Sequence, residues 1–507
     1  MKIERAVLPS LMGIDGVWVL IACITLFRLV YIDFAPVTAQ EAYYWLYAQN
    51  PALAYVDHPP SIAYSILLGT ALFGSNGFGI KFMAVVWSFL TNSLLYLTAR
   101  RVCCGLPDYQ AKNTACIAVL IYNLTLFSHT FAIIHQPDSS LLFFWLLTLY
   151  FVQEFQLTGR NRNFIFAGIA LGFALLCKYT AIAIVPGILV AFVYDSKLRR
   201  SLFTAYPYLA LTLAIIVFSP VILWNAEHDW ISFRMQFGDR AGKATHGSII
   251  HYRYIFQLLG TQLAMLTPLV FALFVRSCIK MATEWRQHAV IWLQFLSGAV
   301  LILGFTVISL TSKVKLHWML PGYLGIIVCI ALLFNKAAVM HSKWIKIGVG
   351  FSLVLIVAGH ILFVVPGFQI FQVNSWSGWR QFAEKVIKLQ DKMGGQDRVF
   401  IFTDSHKTAA YISLYAPDHQ RTYAQNIIGG FSKQLSVWGV PESLNGMAAL
   451  YISTRPKLSP VEQVLLQQFF DDIILVANYS YSLLSVGDKP TRDIYCFLGK
   501  NYHRDLL

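Results

Sequence analysis

The stretch Val17-Trp-Val-Leu-Ile-Ala-Cys-Ile-Thr-Leu-Phe-Arg-Leu-Val-Tyr-Ile-Asp-Phe-Ala35 decides the fold class. It is apolar over most of its length and reaches the roughly 20 residues that a helix needs to cross a bilayer. It lacks a small-residue cleavage site, so it reads as a retained anchor rather than a signal peptide. Similar windows recur at 80–99, 113–131, 139–157, 164–178, 180–195, 205–224, 254–275, 288–310, 318–334 and 345–365. The segment 61–73 is shorter and is expected to lie in the interface. Of 507 residues, 57% are hydrophobic and 13% charged, too few polar groups to cover a soluble protein of this size. The expectation is a multi-span α-helical membrane protein with about 11 transmembrane helices.

The net charge of +14 would suit nucleic acid, but its distribution argues against that partner. The basic residues fall in alternate loops: Lys2 and Arg5; Arg100, Arg101 and Lys112; Arg160 and Arg162; Lys197, Arg199 and Arg200; Arg276, Lys280 and Arg286; Lys336, Lys343 and Lys346. Such alternation is the cytoplasmic bias of Lys and Arg in short loops. It predicts a cytoplasmic N-terminus and, with an odd number of spans, an exported C-terminal region. Loops 36–79, 132–138, 225–253 and 311–317 are then exported too. Only Cys496 of eight cysteines lies in the exported tail, so no disulfide is expected there.

Composition changes near residue 366, which divides a membrane domain (1–366) from a smaller α/β domain (367–507) expected outside the membrane. The patterns predict helices at 379–392, 408–415 and 459–470, and strands at 399–402, 448–452, 473–476 and 493–497. Strand order is not legible at this level. No internal repeat stands out, which counts against repeat-built transporter folds.

Polar chemistry gathers in the loops predicted to be exported. Thr38-Ala-Gln-Glu41-Ala-Tyr-Tyr-Trp45 holds a T-x-x-E capping box, so Glu41 could serve the helix start alone or use that helix as a rigid mount. Tyr43, Tyr44, Trp45 and Tyr47 suit an interfacial aromatic belt as well as a sugar site. In Asp57-His58-Pro59-Pro60 the prolines stiffen the backbone that carries an acid and an imidazole. Asp138, in His135-Gln-Pro-Asp138, could be a simple N-cap or a second acid on the same side. Lys178 lies at an outer hairpin, where the positive-inside rule makes a lysine unexpected unless it snorkels or meets a lipid phosphate. Trp224-Asn225-Ala-Glu-His-Asp-Trp230, Arg234, Arg240 and Thr311-Ser-Lys-Val-Lys-Leu-His-Trp318 add indoles, amides and charge suited to sugar faces and hydroxyls. No cluster has dependable metal-ligand spacing.

Glu41-Ala-Tyr-Tyr-Trp45, Asp57-His-Pro-Pro60, Pro137-Asp138, Lys178-Tyr-Thr180 and Trp224-Asn-Ala-Glu-His-Asp-Trp230-Ile-Ser-Phe233 occur in that order. In this order they resemble the bacterial C-type glycosyltransferases of the dolichyl-phosphate-mannose protein mannosyltransferase-like family, related to the lipid A aminoarabinose transferases. Phe402-Thr-Asp-Ser405, Ala409-Ala-Tyr411 and Gln434-Leu-Ser-Val-Trp438 extend the likeness into the tail. The resemblance implies a multi-span helical fold, an acidic first outer loop, an exported C-terminal domain and a polyprenyl-phosphate sugar donor. It implies no nucleotide or redox cofactor, in keeping with the lack of a nucleotide-binding glycine loop. One departure is Gln40 before Glu41, where the family usually has Asp. An amide orients a hydroxyl but cannot take its proton.

The expected protein is thus a bacterial inner-membrane glycosyltransferase working at the periplasmic face. It would pass a sugar from polyprenyl phosphate to lipid A, another glycan or protein. Glu41 is the first candidate base and Asp138 the second, and Lys178 would neutralise the departing phosphate. Gln40, Tyr43, Tyr44, Asp57, His58, Trp224, Asn225 and Arg234 would line the substrates. A divalent cation, if used, would fall to Glu41, Asp57 and His58. A polyprenyl-lipid flippase and a silent lipid-binding scaffold are the alternatives. Intramembrane charges would mark the first, and Gln40 is the best support for the second.

Overall fold

A computed structural model describes residues 16–239, 251–283, 291–334, 342–365, 376–424, 433–483 and 491–503. Lys2, Arg5, Arg240, Arg286, Lys336 and the expected domain boundary at 366/367 lie outside the described residues. The helices in chain order are α1 (Gly16–Phe34), α2 (Ala39–Gln49), α3 (Ser61–Phe73), α4 (Gly77–Val102), α5 (Asp108–Asn123), α6 (Leu126–Ile133), α7 (Pro137–Thr158), α8 (Arg162–Cys177), α9 (Ile184–Tyr194), α10 (Ser196–Ser201) and α11 (Tyr206–Glu227). Then follow α12 (Tyr252–Leu266), α13 (Pro268–Thr283), α14 (Trp292–Ile308), α15 (Leu320–Phe334), α16 (Lys343–Val364), α17 (Trp379–Lys392), α18 (His406–Tyr415), α19 (Gln434–Trp438) and α20 (Pro460–Gln467). Strands β1 (Val399–Thr403), β2 (Tyr423–Ala424), β3 (Ala448–Ser453), β4 (Phe470–Ser482) and β5 (Thr491–Tyr502) lie among the last helices.

The chain forms two compact units. The first comprises residues 1–33, 58–65 and 81–361; the second comprises 34–57, 66–80 and 362–507.

The first unit is a helical bundle. Among the described residues five helices, α1, α4, α7, α11 and α16, are each long and apolar enough to cross a membrane. Two further windows read as single spans are broken instead. Helices α5 and α6 meet at 72°, and α12 and α13 at 110°, which gives up to seven spans by length and composition. The first break falls where the Thr125 hydroxyl accepts the Ser128 amide and starts a new helix. The second falls at Thr267, with φ +66°, before Pro268, which has no amide to continue the ladder. Hydropathy averages over such breaks, so the windows at 113–131 and 254–275 looked continuous. Small residues let the helices approach closely: a Cβ on Gly298 of α14 would collide with the backbone of Gly322 in α15.

The second unit carries a five-stranded mixed sheet in the order β2-β1-β3-β5-β4. Strand β1 runs parallel to β2 and β3, and β5 runs antiparallel to β3 and β4. Phe400, Phe402, Tyr451, Phe470, Phe497 and Tyr502 build its core. Helix α2, from the loop after the first apolar stretch, belongs to this unit, where Glu41 through Ala48 are all buried. Tyr43, Tyr44, Trp45 and Tyr47 are therefore core residues here and not an aromatic belt facing an interface.

Candidate active site

In the first unit, Asp138 and Lys178 come together. Gln136 is the N-cap of α7, with Ser139 completing the box, so Asp138 is the second residue of the helix and is not the cap. Its carboxylate is free for another partner while its charge still complements the helix dipole. Lys178 terminates α8 in extended backbone and leads into a short 3₁₀ turn, Tyr179–Ala183. Its Nζ donates to both oxygens of Asp138, at 2.8 and 2.9 Å. The two side chains are 7% and 3% exposed, so this is a buried pair and not a snorkelling lysine.

Other polar side chains sit on the neighbouring turns and helices. Ser140 stands 3.2 Å from Ser61, whose hydroxyl also accepts from the Cys177 thiol. Ser65 accepts from the Trp87 indole and lies 2.9 Å from His135 Nε2. His58 and His317 are close enough to act on Asp138 electrostatically. Burial, and then the Lys178 ammonium, pushes His317 down to about 3, so its imidazole is neutral at neutral pH.

A second polar cluster lies within the second unit. The Tyr47 hydroxyl donates to Asp57, and because it has one proton, the hydroxyl 2.7 Å away on Tyr43 must donate to Tyr47. Tyr43 in turn accepts the Gln434 amide at 3.1 Å, and the Gln434 side-chain oxygen accepts the Val56 amide at 2.9 Å. Lys433 Nζ pairs with Asp57 Oδ2 at 2.9 Å and lies 5.1 Å from the centre of the Tyr43 ring. Its backbone has φ +53°, a conformation a lysine rarely adopts. Burial, then the Asp57 carboxylate, holds both phenols well above their ordinary range. The His406 imidazole lies 4.8 Å from Tyr43, and burial followed by Lys433 pushes it down to about 3.

Glu41 belongs to that unit too, where the capping box is fully formed. Its Oε2 accepts the Thr38 amide and hydroxyl, each at 2.9 Å, and the residue is fully buried. Half-buried Gln40 donates to the Tyr44 hydroxyl at 3.2 Å. Asn225 closes the end of α11 by accepting the Ser232 amide at 3.1 Å, and Trp224 stacks on His228 at 4.0 Å. Arg234 is exposed. Among the described residues, no group of three His, Cys, Asp or Glu side chains could hold a metal ion. Glu41 and Asp57 fall in one unit and His58 in the other. Sequence reasoning overlooked Lys433 and His406, since both lie far along the chain from Asp57 and in no motif of charge or spacing.

Residues 57–224, which include His58, Asp138 and Lys178, match the family model for dolichyl-phosphate-mannose-protein mannosyltransferase. The lipid A galacturonosyltransferase RgtD of Rhizobium johnstonii is 26% identical over 326 residues, 62% of this chain and 64% of that protein. The undecaprenyl phosphate-alpha-4-amino-4-deoxy-L-arabinose arabinosyl transferase of Edwardsiella ictaluri is 25% identical over 43% of this chain and 40% of that protein. The chain thus spans less than two thirds of the length of these relatives. The crystal structure of ArnT from Cupriavidus metallidurans bound to undecaprenyl phosphate superposes with a TM-score of 0.64 at 13% identity. That superposition covers 95% of this chain and 98% of ArnT, so the two share a fold.

Proposed function

We propose that this relative of the dolichyl-phosphate-mannose-protein mannosyltransferases is an inner-membrane glycosyltransferase that uses a polyprenyl-phosphate sugar. The acceptor would be an envelope molecule at the periplasmic face. Lipid A is the first choice, because RgtD, with the longer aligned stretch of the two relatives, is named for it. The topology follows the charge bias of the loops, with the N-terminus cytoplasmic and residues 370–507 exported.

The observation that carries the reading is the buried Asp138–Lys178 pair beside His58 and His317. In the proposed reaction an acceptor hydroxyl attacks the anomeric carbon, and its proton passes to the Asp138 carboxylate. The bond from that carbon to the phosphate oxygen breaks, and polyprenyl phosphate leaves with the electron pair. Protonation cancels the charge that holds Lys178, so the ammonium becomes available as negative charge grows on the phosphate. One ion pair is exchanged for another, and no bare charge is left in a buried site. Neutral His317 adds no competing cation.

Asp138 is then the first candidate for base. Glu41, already engaged by Thr38, would serve the start of α2. The test supplies purified protein with a polyprenyl-phosphate sugar and lipid A. Mass spectrometry should find the acceptor heavier by one sugar and an equal amount of free polyprenyl phosphate. Donor binding with no acceptor-dependent release of carrier would leave a lipid-binding scaffold instead.

A further inference from the structure

A polar cavity of about 280 Å³ lies within the second unit. Its apolar lining is Val37, before α2, with Leu414 and Ala416 at the end of α18. Around these stand Ser75 from the loop between α3 and α4, Arg380 and Glu384 on successive turns of α17, and Tyr415 and His419.

Buried rings hold the walls in place. The Trp45 indole, fully buried, donates to Ser75 Oγ at 3.2 Å and lies 5.0 Å from the His419 ring, so one side chain of α2 ties two walls together. The Tyr411 hydroxyl donates to the Val37 carbonyl at 3.1 Å. The Tyr411 ring stacks with Trp379 at 4.9 Å and with Tyr415 at 6.2 Å. Walls fixed in this way lower the ordering cost of taking a ligand.

The polar groups of this cavity have capacity to spare. Arg380 and Glu384 are four residues apart on one helix, a spacing at which opposite charges often pair. Here they do not, and the guanidinium lies 5.5 Å from the centre of the Tyr415 ring instead. Among the described residues neither side chain makes a hydrogen bond or an ion pair, and the His419 imidazole makes no hydrogen bond. Ser75 accepts from Trp45, so its own hydroxyl proton remains to be donated. His419 has φ +49°, a backbone strain of the kind that collects at ligand sites.

We infer that this cavity binds a pyranose sugar bearing one anionic substituent, a carboxylate or a phosphate ester. The substituent would pair with Arg380, whose planar set of donors matches either group. Glu384 would accept from ring hydroxyls and Ser75 would donate to them, while Val37, Leu414 and Ala416 meet the apolar C–H face. The volume is near the lower limit of ~300 Å³ for small-molecule sites, which suits one ring and not a lipid tail. Glu384 also discriminates. It would repel inorganic phosphate drawn to Arg380, whereas a sugar keeps its anion at one end and presents hydroxyls at the other. This binding is independent of the reaction proposed above.

The test is saturation-transfer NMR on the full-length protein in detergent micelles. The probes are methyl glucuronide, glucose 1-phosphate, methyl glucoside and inorganic phosphate. At least one charged sugar should bind about tenfold more tightly than methyl glucoside, in line with a charge-assisted contact, and which one does so separates carboxylate from phosphate. Inorganic phosphate should not compete. Arg380→Gln should remove the advantage of the charged sugar and leave methyl glucoside as in the parent, whereas Arg380→Lys should keep part of it. Glu384→Gln should weaken every sugar and admit inorganic phosphate. Both side chains are exposed, so these variants should fold. Equal binding of charged and neutral sugars, a preference that survives in Arg380→Gln, or competition by inorganic phosphate as strong as by glucose 1-phosphate would overturn the inference.

Discussion

Separating the Asp138–Lys178 pair by mutation distinguishes a reaction centre from a structural ion pair. At 2.8 Å and an effective dielectric constant of ~20, two unit charges attract by about 6 kcal/mol, and desolvation offsets much of that. Asp138→Asn alone leaves a buried ammonium, and Lys178→Met alone leaves a buried carboxylate. Each should cost about 3–5 kcal/mol, because the side chains are only 3% and 7% exposed. The double variant removes both charges and should return to within ~1–2 kcal/mol of the parent or exceed its stability. A purely structural pair then predicts that activity recovers along with stability. The proposed mechanism predicts a well-folded double variant in which turnover stays down by ~10²–10⁴, since the proton acceptor and the phosphate's cation are both gone. The assay is sugar transfer from a defined polyprenyl-phosphate donor, normalised to folded protein by detergent-resistant thermal unfolding. A double variant that is both stable and as active as the parent would refute the reasoning and reduce the pair to scaffold.

Three further outcomes are expected. Glu41→Gln should keep the capping box, since the amide oxygen still accepts from Thr38, and should change stability by less than ~1 kcal/mol with most turnover retained; a loss of ~10² or more would restore Glu41 as the base. His406 is held at about 3 against an ordinary 6.5, so its contribution to stability is complete above pH 6.5 and is lost as pH falls toward 3. Hydrogen exchange in α18 and α2 should show that acid loosening, and His406→Gln should flatten it. On a background without native cysteines, Lys392→Cys should react with an impermeant thiol reagent from the periplasmic side, and Arg160→Cys only after the inner membrane is breached; the reverse would invert the topology.

The sequence alone determined the class of molecule, because bilayer-length apolar windows are averages over many residues. No single contact can overturn such averages. Helix Trp379–Lys392 and strands near 399 and 448 were legible for the same reason: their periods are local. What could not be read were features set by one or two residues or by distant partners. The breaks at Thr125 and Thr267 depend on a hydroxyl and a missing amide inside windows that remain apolar. Gln136 took the cap, and so left Asp138 for a lysine 40 residues on. Asp57 and His58 are neighbours in the chain, yet Asp57 meets Tyr47 and Lys433 in one unit while His58 falls in the other. The aromatic run from Tyr43 to Tyr47 looked interfacial because a helix crowded with rings has the same composition at a membrane surface as in a core. Tertiary structure assigned it to the core of the second unit, where buried hydroxyls must find partners, and it did so through Gln434 and Asp57.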